Sequence, residues 1–145
     1  MILKEIEYIP VLYNMFNEIL VNARDQKIRL ESNKKHQQVT TIKVSYKEGV
    51  WSIYNDGQGI LIEKHKQEKI YNPELIFGRL LTSSNYNKDE KKIVGGKNGY
   101  GAKLTNIFSK EFIIETIDSN NKKKINQKFE NNKLITNDPV IKKSS

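Results

Sequence analysis

The sequence contains no cysteine, only two histidines and a single tryptophan in 145 residues. Without cysteine, neither a disulfide framework nor a zinc site built on thiolates can form, and His36 and His65 are too isolated to suggest a metal cage. No apolar stretch approaches the roughly 18 residues that a membrane-spanning helix requires, and no apolar segment of a signal peptide follows Met1. We therefore expect a soluble, intracellular protein without a membrane partner.

Basic residues outnumber acidic ones by 25 to 17, which gives a formal net charge of +8. A cationic surface attracts phosphates at long range, so this charge favours a polyanionic partner such as nucleic acid. The runs Lys122–Lys124 and Lys142–Lys143 are also typical of solvated faces and tails. Charge alone therefore leaves open a basic nucleic-acid-binding module without catalytic activity.

Apolar periodicity predicts an amphipathic helix from Pro10 to about Asp25. Alternating β-branched and polar residues predict a hairpin of strands over 39–46 and 50–54, with its turn at Lys47–Gly49. The other predicted elements are a short helix from Asn72, a lid over 82–101, a helix over 101–108, a buried strand over 112–117 and a returning strand over 124–129.

These elements predict the α+β class, as a two-layer α/β sandwich with helices on one face of a mixed sheet. The strands are few for a sheet of normal width, so we expect the sheet to be incomplete. Residues 1–130 are expected to form one partial domain. Residues 131–145 are polar and rich in lysine and asparagine, have no core-forming pattern, and are expected to form a tail that leads toward the rest of a longer protein.

One stripe of the first helix carries Glu18, Asn22 and Asp25, at positions i, i+4 and i+7. A carboxylate base and a neutral carboxamide oxygen one turn apart suit a site where Mg²⁺ is held beside phosphates. Taken alone, the stripe is more typical of a solvated helix face than of a metal or catalytic site.

The segment Asn55-Asp56-Gly57-Gln58-Gly59 follows a predicted strand directly. Alternate glycines allow a flat ring to approach the backbone, and the Asn55 amide can both donate to and accept from an adenine edge. A plain hairpin or a β-bulge is the alternative interpretation.

The segment from Gly95 to Lys103 is a glycine-rich loop that opens a helix. Its amide N–H groups, the helix start and the charges of Lys97 and Lys103 together predict a phosphate cradle. The G-x-x-G-x-G spacing fits neither a P-loop nor a dinucleotide-binding turn. Thr82–Asn85 offers hydroxyls and an amide that could close on the same ligand, or serve as an ordinary helix cap.

The order of these features, an E-x-x-x-N helix, then N-x-G-x-G, then G-x-x-G-x-G, resembles the Bergerat-type ATP-binding fold shared by gyrase, the ninety-kilodalton heat-shock chaperones, histidine kinases and MutL. Longer blocks resemble the ATPase domain of eukaryotic-type (type IIA) DNA topoisomerase II, from about Lys4 to about Asn132. The blocks are Tyr8–Pro10, Phe16–Ala23, Leu80–Tyr86 and Gly95–Ser109. Thr82–Asn85 and Asn98–Lys103 argue against the chaperone and mismatch-repair branches of the fold.

The resemblance implies that Glu18 activates the water that attacks the γ-phosphate of ATP. It implies that Asn22 binds Mg²⁺ and phosphate oxygens, and that Asn55 contacts the adenine. The further ATP contacts that it implies are Ser83, Ser84, Asn85, Gly96, Lys97, Asn98, Gly99, Tyr100, Gly101, Ala102 and Lys103. Lys97 stands where the family usually has arginine, which keeps the charge without the bidentate fork. Leu61 replaces a usual proline and Arg24 a small residue, and neither change removes an implied ligand.

For the whole protein, the resemblance implies an ATP-hydrolysing homodimer that passes one DNA duplex through a transient double-strand break. It also implies a nuclear location, or another compartment for a viral copy. The segment that clasps the second subunit, the transducer lysine and the DNA-cleaving tyrosine have no counterpart in these 145 residues. We therefore expect the isolated chain to have little ATPase activity.

Overall fold

The computed structural model describes residues 4–32, 35–79 and 100–144. Within these ranges the helices are α1 (Pro10–Glu31), α2 (Asn72–Gly78) and α3 (Gly101–Phe108), and the strands are β1 (Ile42–Lys47), β2 (Val50–Asn55), β3 (Glu111–Asp118), β4 (Lys123–Glu130), β5 (Ile135–Thr136) and β6 (Val140–Lys143). The predicted lid lies outside the described residues, apart from its last two positions. So do the predicted ATP contacts at Ser83, Ser84, Asn85, Gly96, Lys97, Asn98 and Gly99.

Helix α1 begins at Pro10, whose fixed φ angle suits the first helical position, and it ends six residues beyond the predicted Asp25. Leu30, near the end of this extension, is buried. Its burial against the rest of the chain explains why the helix continues. At the other end, Leu12 and Tyr13 are 54% and 58% exposed, so the first turns pack against little of the described chain.

Strands β1 and β2 form the predicted hairpin, antiparallel from Lys47↔Val50 to Ile42↔Asn55. Its turn residues Glu48 and Gly49 both have positive φ angles, 50° and 80°. This is the combination that a tight turn between two twisted strands requires.

The second sheet is built on β4, which pairs antiparallel with β3 on one side and with β5 and β6 on the other. One prediction for this sheet is wrong: β3 is not buried on both faces. Ile113 and Ile117 are 54% and 45% exposed, whereas Ile114 is buried. Core packs against only one face of β3, because no described element covers the other.

The segment after Asn131 contains structure that its composition did not reveal. Strands β5 and β6 attach to β4 through backbone pairing, and Leu134 between β4 and β5 is 80% exposed. Backbone hydrogen bonds do not depend on an apolar pattern, so a polar segment can extend a sheet edge. Ile135–Thr136 and Val140–Lys143 therefore belong to the sheet, while the domain boundary at 130 stays a prediction.

The α+β class is confirmed, with one difference in the sheet. Among the described residues all strand pairs are antiparallel and form two separate sheets, rather than one mixed sheet. The described ranges contain no helix with the length and apolar character needed to cross a bilayer.

Helix α1 lies between the first hairpin and α3. The Phe16 and Trp51 rings are 4.6 Å apart, and at the far end a methyl group on Gly57 would lie 3.1 Å from Leu30 Cδ1. The distance along the helix from Phe16 to Leu30 and the distance along the strand from Trp51 to Gly57 are both about 20 Å. Helix α1 and strand β2 therefore run side by side in the same direction. On the other side of α1, the Thr105 hydroxyl donates to the Met15 carbonyl at 3.3 Å.

The chain after β2 runs along the free edge of β3. Ile60 N donates to Thr116 Oγ1 at 3.0 Å, and Ile62 N donates to Asp118 Oδ2 at 2.9 Å. Burial raises the pKa of Asp118, but the hydrogen bonds it accepts from backbone and side-chain amides outweigh burial, so its pKa is lowered overall. The N-x-G-x-G loop is thereby fixed to the second sheet.

Gly59→Ala is expected to destabilise the protein more than Gly49→Ala. Both glycines have φ near +80°, which costs an alanine about 1–2 kcal/mol. At Gly59 the new methyl group would also lie 2.0 Å from the Ile117 carbonyl oxygen, whereas at Gly49 nothing lies within 4 Å. Urea denaturation measures both, and equal losses of stability for the two variants would contradict the close approach at Gly59.

Candidate functional site

Glu18 lies against the first residue of α3. A methyl group placed on Gly101 would lie 1.7 Å from Glu18 Oε2 and 2.3 Å from Glu18 Cδ. The carboxylate thus occupies the space that a side chain at residue 101 would take, and because Glu18 is exposed and flexible, an alanine there would displace the carboxylate. The sequence predicted that Glu18 and the glycine-rich segment belong to one site, and they are in contact at Gly101.

At the start of α3, a helix end with no side-chain cap among the described residues lies next to buried side chains. Tyr100 precedes the helix and is 43% exposed, while Ala102 and Lys103 are buried. The first backbone N–H groups of a helix have no partner within the helix, and they carry partial positive charge. The carboxylate of Glu18 therefore lies at a point that attracts anions.

Asn22 is one helical turn beyond Glu18, on the same stripe of α1, and it is exposed. The next turn brings Gln26, and Leu30 packs near Gly57 in the loop after β2. Because α1 and β2 run side by side, Asn22 lies at about the level of the last residues of β2. Helix α1 thus connects the start of α3 with the N-x-G-x-G loop.

Asn55 is half-buried at the end of β2, and its Oδ1 accepts a hydrogen bond from Gly57 N at 3.3 Å. This bond orients the side-chain carbonyl toward its own loop. A half-buried asparagine held in this way has amide donors available for a ligand.

Asp56 fastens the loop to the chain before β1. Its Oδ1 accepts hydrogen bonds from Thr40 N at 2.8 Å and Thr41 N at 2.9 Å, and its Oδ2 accepts one from the Thr40 hydroxyl. The Thr40 hydroxyl and the Thr41 amide are the main reasons that the pKa of Asp56 falls to about 2. Asp56 therefore has a structural role that the sequence analysis did not identify.

The loop glycines are explained by contacts within the protein. A methyl group on Gly57 would lie 2.6 Å from Val39 Cγ2, and one on Gly59 would collide with the Ile117 carbonyl. These contacts account for both glycines without a flat ring against the backbone. Their first role is to let the loop pass close to Val39 and β3.

A cavity of about 540 Å³ lies beside this loop. That volume is in the range of small-molecule sites. Its walls come from α1, the loop and α2, and they include Gln26, Leu30, Gln58, Gly59, Ile60, Leu61, Asn72, Leu75 and Ile76. None of these residues was predicted as a contact. The apolar pair Leu75-Ile76 at the start of α2 was the available signal, but the sequence could not show that this helix faces the loop.

The side-chain oxygen of Gln58, in the wall of this cavity, lacks a hydrogen-bond partner within the described part of the chain. Its Oε1 is buried and has no hydrogen-bond partner among the described residues, so it can accept a hydrogen bond from a donor in the cavity. The remaining wall combines apolar side chains and amides with Arg29, Ser32 and His36. Apolar surface with a few polar groups is typical of small-molecule sites.

Lys103 and Lys133 belong to a second region, at the C-terminal end of α2. Burial lowers the pKa of Lys133, and the positive charges of Arg79 and Lys103 lower it further. Arg79 and Lys133 line a smaller cavity of about 260 Å³ together with Glu74 and Gln127. The predicted phosphate contact Lys103 is thus close enough to these cations to interact with them, on the α2 side of α3.

No protein-family model matches the chain. It is 52% identical over 143 residues to the DNA topoisomerase 2 of Meyerozyma guilliermondii, and 50% identical over 149 residues to that of Acanthamoeba polyphaga mimivirus. Each match covers 99% of this chain, but only 10% and 11% of the respective relatives, so the chain spans about a tenth of their length.

A solved structure is similar over almost the whole chain. The crystal structure of the ATPase region of Saccharomyces cerevisiae topoisomerase II matches with a TM-score of 0.84 and 50% sequence identity. The match covers 97% of this chain and 36% of that one.

A double-mutant cycle between Glu18 and Gly101 is expected to show coupling. In the parent chain Gly101→Ala forces the Glu18 carboxylate to move, which offsets the roughly 1 kcal/mol by which alanine favours a helix. With Glu18→Ala already present, the same change meets no carboxylate and stabilises the protein. Urea denaturation should give a coupling above about 0.5 kcal/mol, and a cycle with Glu31→Ala, at the far end of α1, should give none. Additive effects in the first cycle would contradict the contact.

Acid should remove a stabilising contribution from Asp56. Its pKa in the folded protein, about 2, lies below the ordinary value of 3.8, so the contribution is complete above about pH 4 and disappears as the pH falls toward 2. The free energy of unfolding, measured by urea denaturation, should therefore fall less steeply between pH 5 and pH 2 for Asp56→Asn than for the parent. Thr40→Val removes the main donor, so its free energy of unfolding should depend on pH with an intermediate slope. If both variants keep the parent's slope, the pH dependence does not come from Asp56.

Proposed function

The chain is homologous to part of the ATPase region of DNA topoisomerase II, and we propose that it forms the nucleotide-binding part of an ATP-dependent type IIA enzyme. The contact between Glu18 and Gly101 is the observation that carries the proposal. Glu18 is the carboxylate proposed as the base, and Gly101 is the first residue of α3, the helix proposed to face the phosphates. A shared site for both groups requires this contact.

In the proposed reaction the triphosphate lies at the start of α3, where the Tyr100–Lys103 backbone faces it. Phosphoryl transfer depends mainly on positioning and on neutralising charge, and unpaired N–H groups at a helix start supply both. Glu18 accepts a proton from a water while the water oxygen bonds to the γ-phosphorus. The bond to the bridging oxygen breaks, which leaves ADP and inorganic phosphate.

The adenine is proposed to lie at the other end of the same helix, against the loop that begins at Asn55. The hydrogen bond from Gly57 N fixes the Asn55 carbonyl, and its amide group is available to an adenine edge. The 540 Å³ cavity adjoins this loop, so Gln58 and Ile76 are further candidates for contact with the base. About 12 Å separates Glu18 from Gln26 along α1, which is compatible with the length of a nucleotide.

Mg²⁺ is proposed to be held by the Asn22 side-chain oxygen together with phosphate oxygens. Such a set of hard oxygen ligands is what Mg²⁺ prefers, and Asn22 is exposed on the same stripe as Glu18. The described residues contain no group of three or more His, Asp or Glu that could hold a metal by themselves. When bound, the ion would neutralise phosphate charge.

For the complete enzyme we propose the activity of the family: a homodimer in which ATP binding closes a gate on one DNA duplex and hydrolysis reopens it. Eukaryotic relatives support a nuclear location, whereas the mimivirus relative supports a viral alternative. The high identity to topoisomerases disfavours the chaperone and mismatch-repair branches. A basic module without catalysis would leave the contact between Glu18 and Gly101 without a purpose.

Thermal denaturation with Mg²⁺ and a non-hydrolysable ATP analogue tests the site. A ligand at 100 times its dissociation constant stabilises the folded state by about 2.7 kcal/mol, so the midpoint should rise measurably. Asn22→Ala should weaken binding at least tenfold, whereas Asn17→Ala, on another side of α1, should bind like the parent. Glu18→Gln should also keep the shift, because a base is not needed for binding. No shift in the parent chain, or equally weakened binding in both asparagine variants, would overturn the proposal.

A further inference from the structure

The pairing of β4 with β6 brings the two lysine runs of the sequence together. Lys123 lies directly opposite Lys143, and Lys124 lies directly opposite Lys142. Ser144 N donates to the Lys122 carbonyl at 2.8 Å, which closes β6 against the preceding turn. We call this set of five residues, Lys122, Lys123, Lys124, Lys142 and Lys143, the lysine end of the sheet.

The lysine end carries charge that the described residues do not neutralise. Lys124 pairs with Glu115 at 2.8 Å, while the other four form no ion pair with a described carboxylate. Asp118, opposite Lys123, is occupied by amide donors from Ile62, Asn120 and Asn121. Like charges directly opposite each other destabilise a sheet. Lys123 opposite Lys143 is such a pair without a carboxylate partner among the described residues, and a bound polyanion would remove its cost to folding.

The lysines project from both faces of the sheet. Residues directly opposite on paired strands share a face, so Lys123 and Lys143 lie on the face of buried Ile125. Lys124 and Lys142 lie on the other face, with exposed Ile117. The lysine end can therefore contact anionic groups on both faces of the sheet at the same time.

We propose that the lysine end binds duplex DNA through its phosphates. This end of the sheet is three strands wide, because β4 pairs with both β3 and β6. Duplex DNA carries closely spaced phosphates on both of its strands, so lysines on the two faces of the sheet can contact several phosphates at once. Lysine is a compact charge without the fork that reads guanine, so binding is independent of base sequence.

The choice of DNA among polyanions rests on the proposed function, since the family acts on DNA. The site itself is separate from Glu18 and the start of α3, and DNA binding there needs no nucleotide. The ATP analogue and DNA therefore test the two proposals independently.

Fluorescence anisotropy of a labelled 30-base-pair duplex, without nucleotide, tests this inference on the 145-residue chain. The triple variant K122Q/K123Q/K143Q should bind about tenfold or more weakly at 100 mM salt. The slope of log K against log salt should become shallower by about 0.9 for each phosphate that the variant no longer neutralises. A matched triple, K4Q/K47Q/K66Q, removes three exposed lysines elsewhere and should change affinity far less.

Further results test the role of charge, the occupant and the site. The charge-conserving triple K122R/K123R/K143R should keep the affinity and the slope, which separates the effect of charge from an effect on folding. A polyglutamate peptide or anionic vesicles that bind the lysine end as tightly as DNA would overturn the assignment to DNA. Equally weakened binding in the two glutamine triples, or no binding of the parent at 50 mM salt, would overturn the site.

Discussion

The arrangement of this chain depends on the close approach of α1 to α3. Gly101 has no side chain, and the Glu18 carboxylate occupies the space where one would be. One turn along each helix the Thr105 hydroxyl lies 2.9 Å from the Gly101 carbonyl and 3.3 Å from the Met15 carbonyl, so it shares its single hydrogen between α3 and α1. On its opposite side α1 runs along β2. One helix therefore sets the position of the start of α3 and of the loop after β2.

The loop after β2 joins residues that packing requires to Asn55, the proposed adenine contact. Gly57 and Gly59 are required because Val39 and the Ile117 carbonyl lie where side chains would be. Asp56 ties the loop to Thr40 and Thr41, and the edge of β3 holds the residues that follow. Asn55 is presented by a loop that is fixed from several directions. Such rigid support is consistent with the role proposed for Asn55, because binding depends on precise positioning.

Much of this fold could be predicted from the sequence, because the predicted features depend on neighbours in the chain. The helix from Pro10, the hairpin around Gly49, the helix from Gly101 and the β3–β4 hairpin all have local periodicity or turn residues, and all are present. The antiparallel pairing of β4 with β6 and the exposure of Ile113 depend on distant neighbours, so no local pattern revealed them. The same holds for the site. Glu18 and Gly101 were predicted together from motif order and family resemblance, whereas the role of Asp56 and the cavity wall at Ile76 required the packing of α1, the loop and α2.

The most direct measurement of the central claim is a crystal structure of the chain with Mg²⁺ and a non-hydrolysable ATP analogue. The account predicts the terminal phosphate between the Glu18 carboxylate and the amides from Tyr100 to Lys103, with the base against the loop at Asn55. A nucleotide bound with its terminal phosphate remote from Glu18, for example beside Arg79 and Lys133, would contradict it.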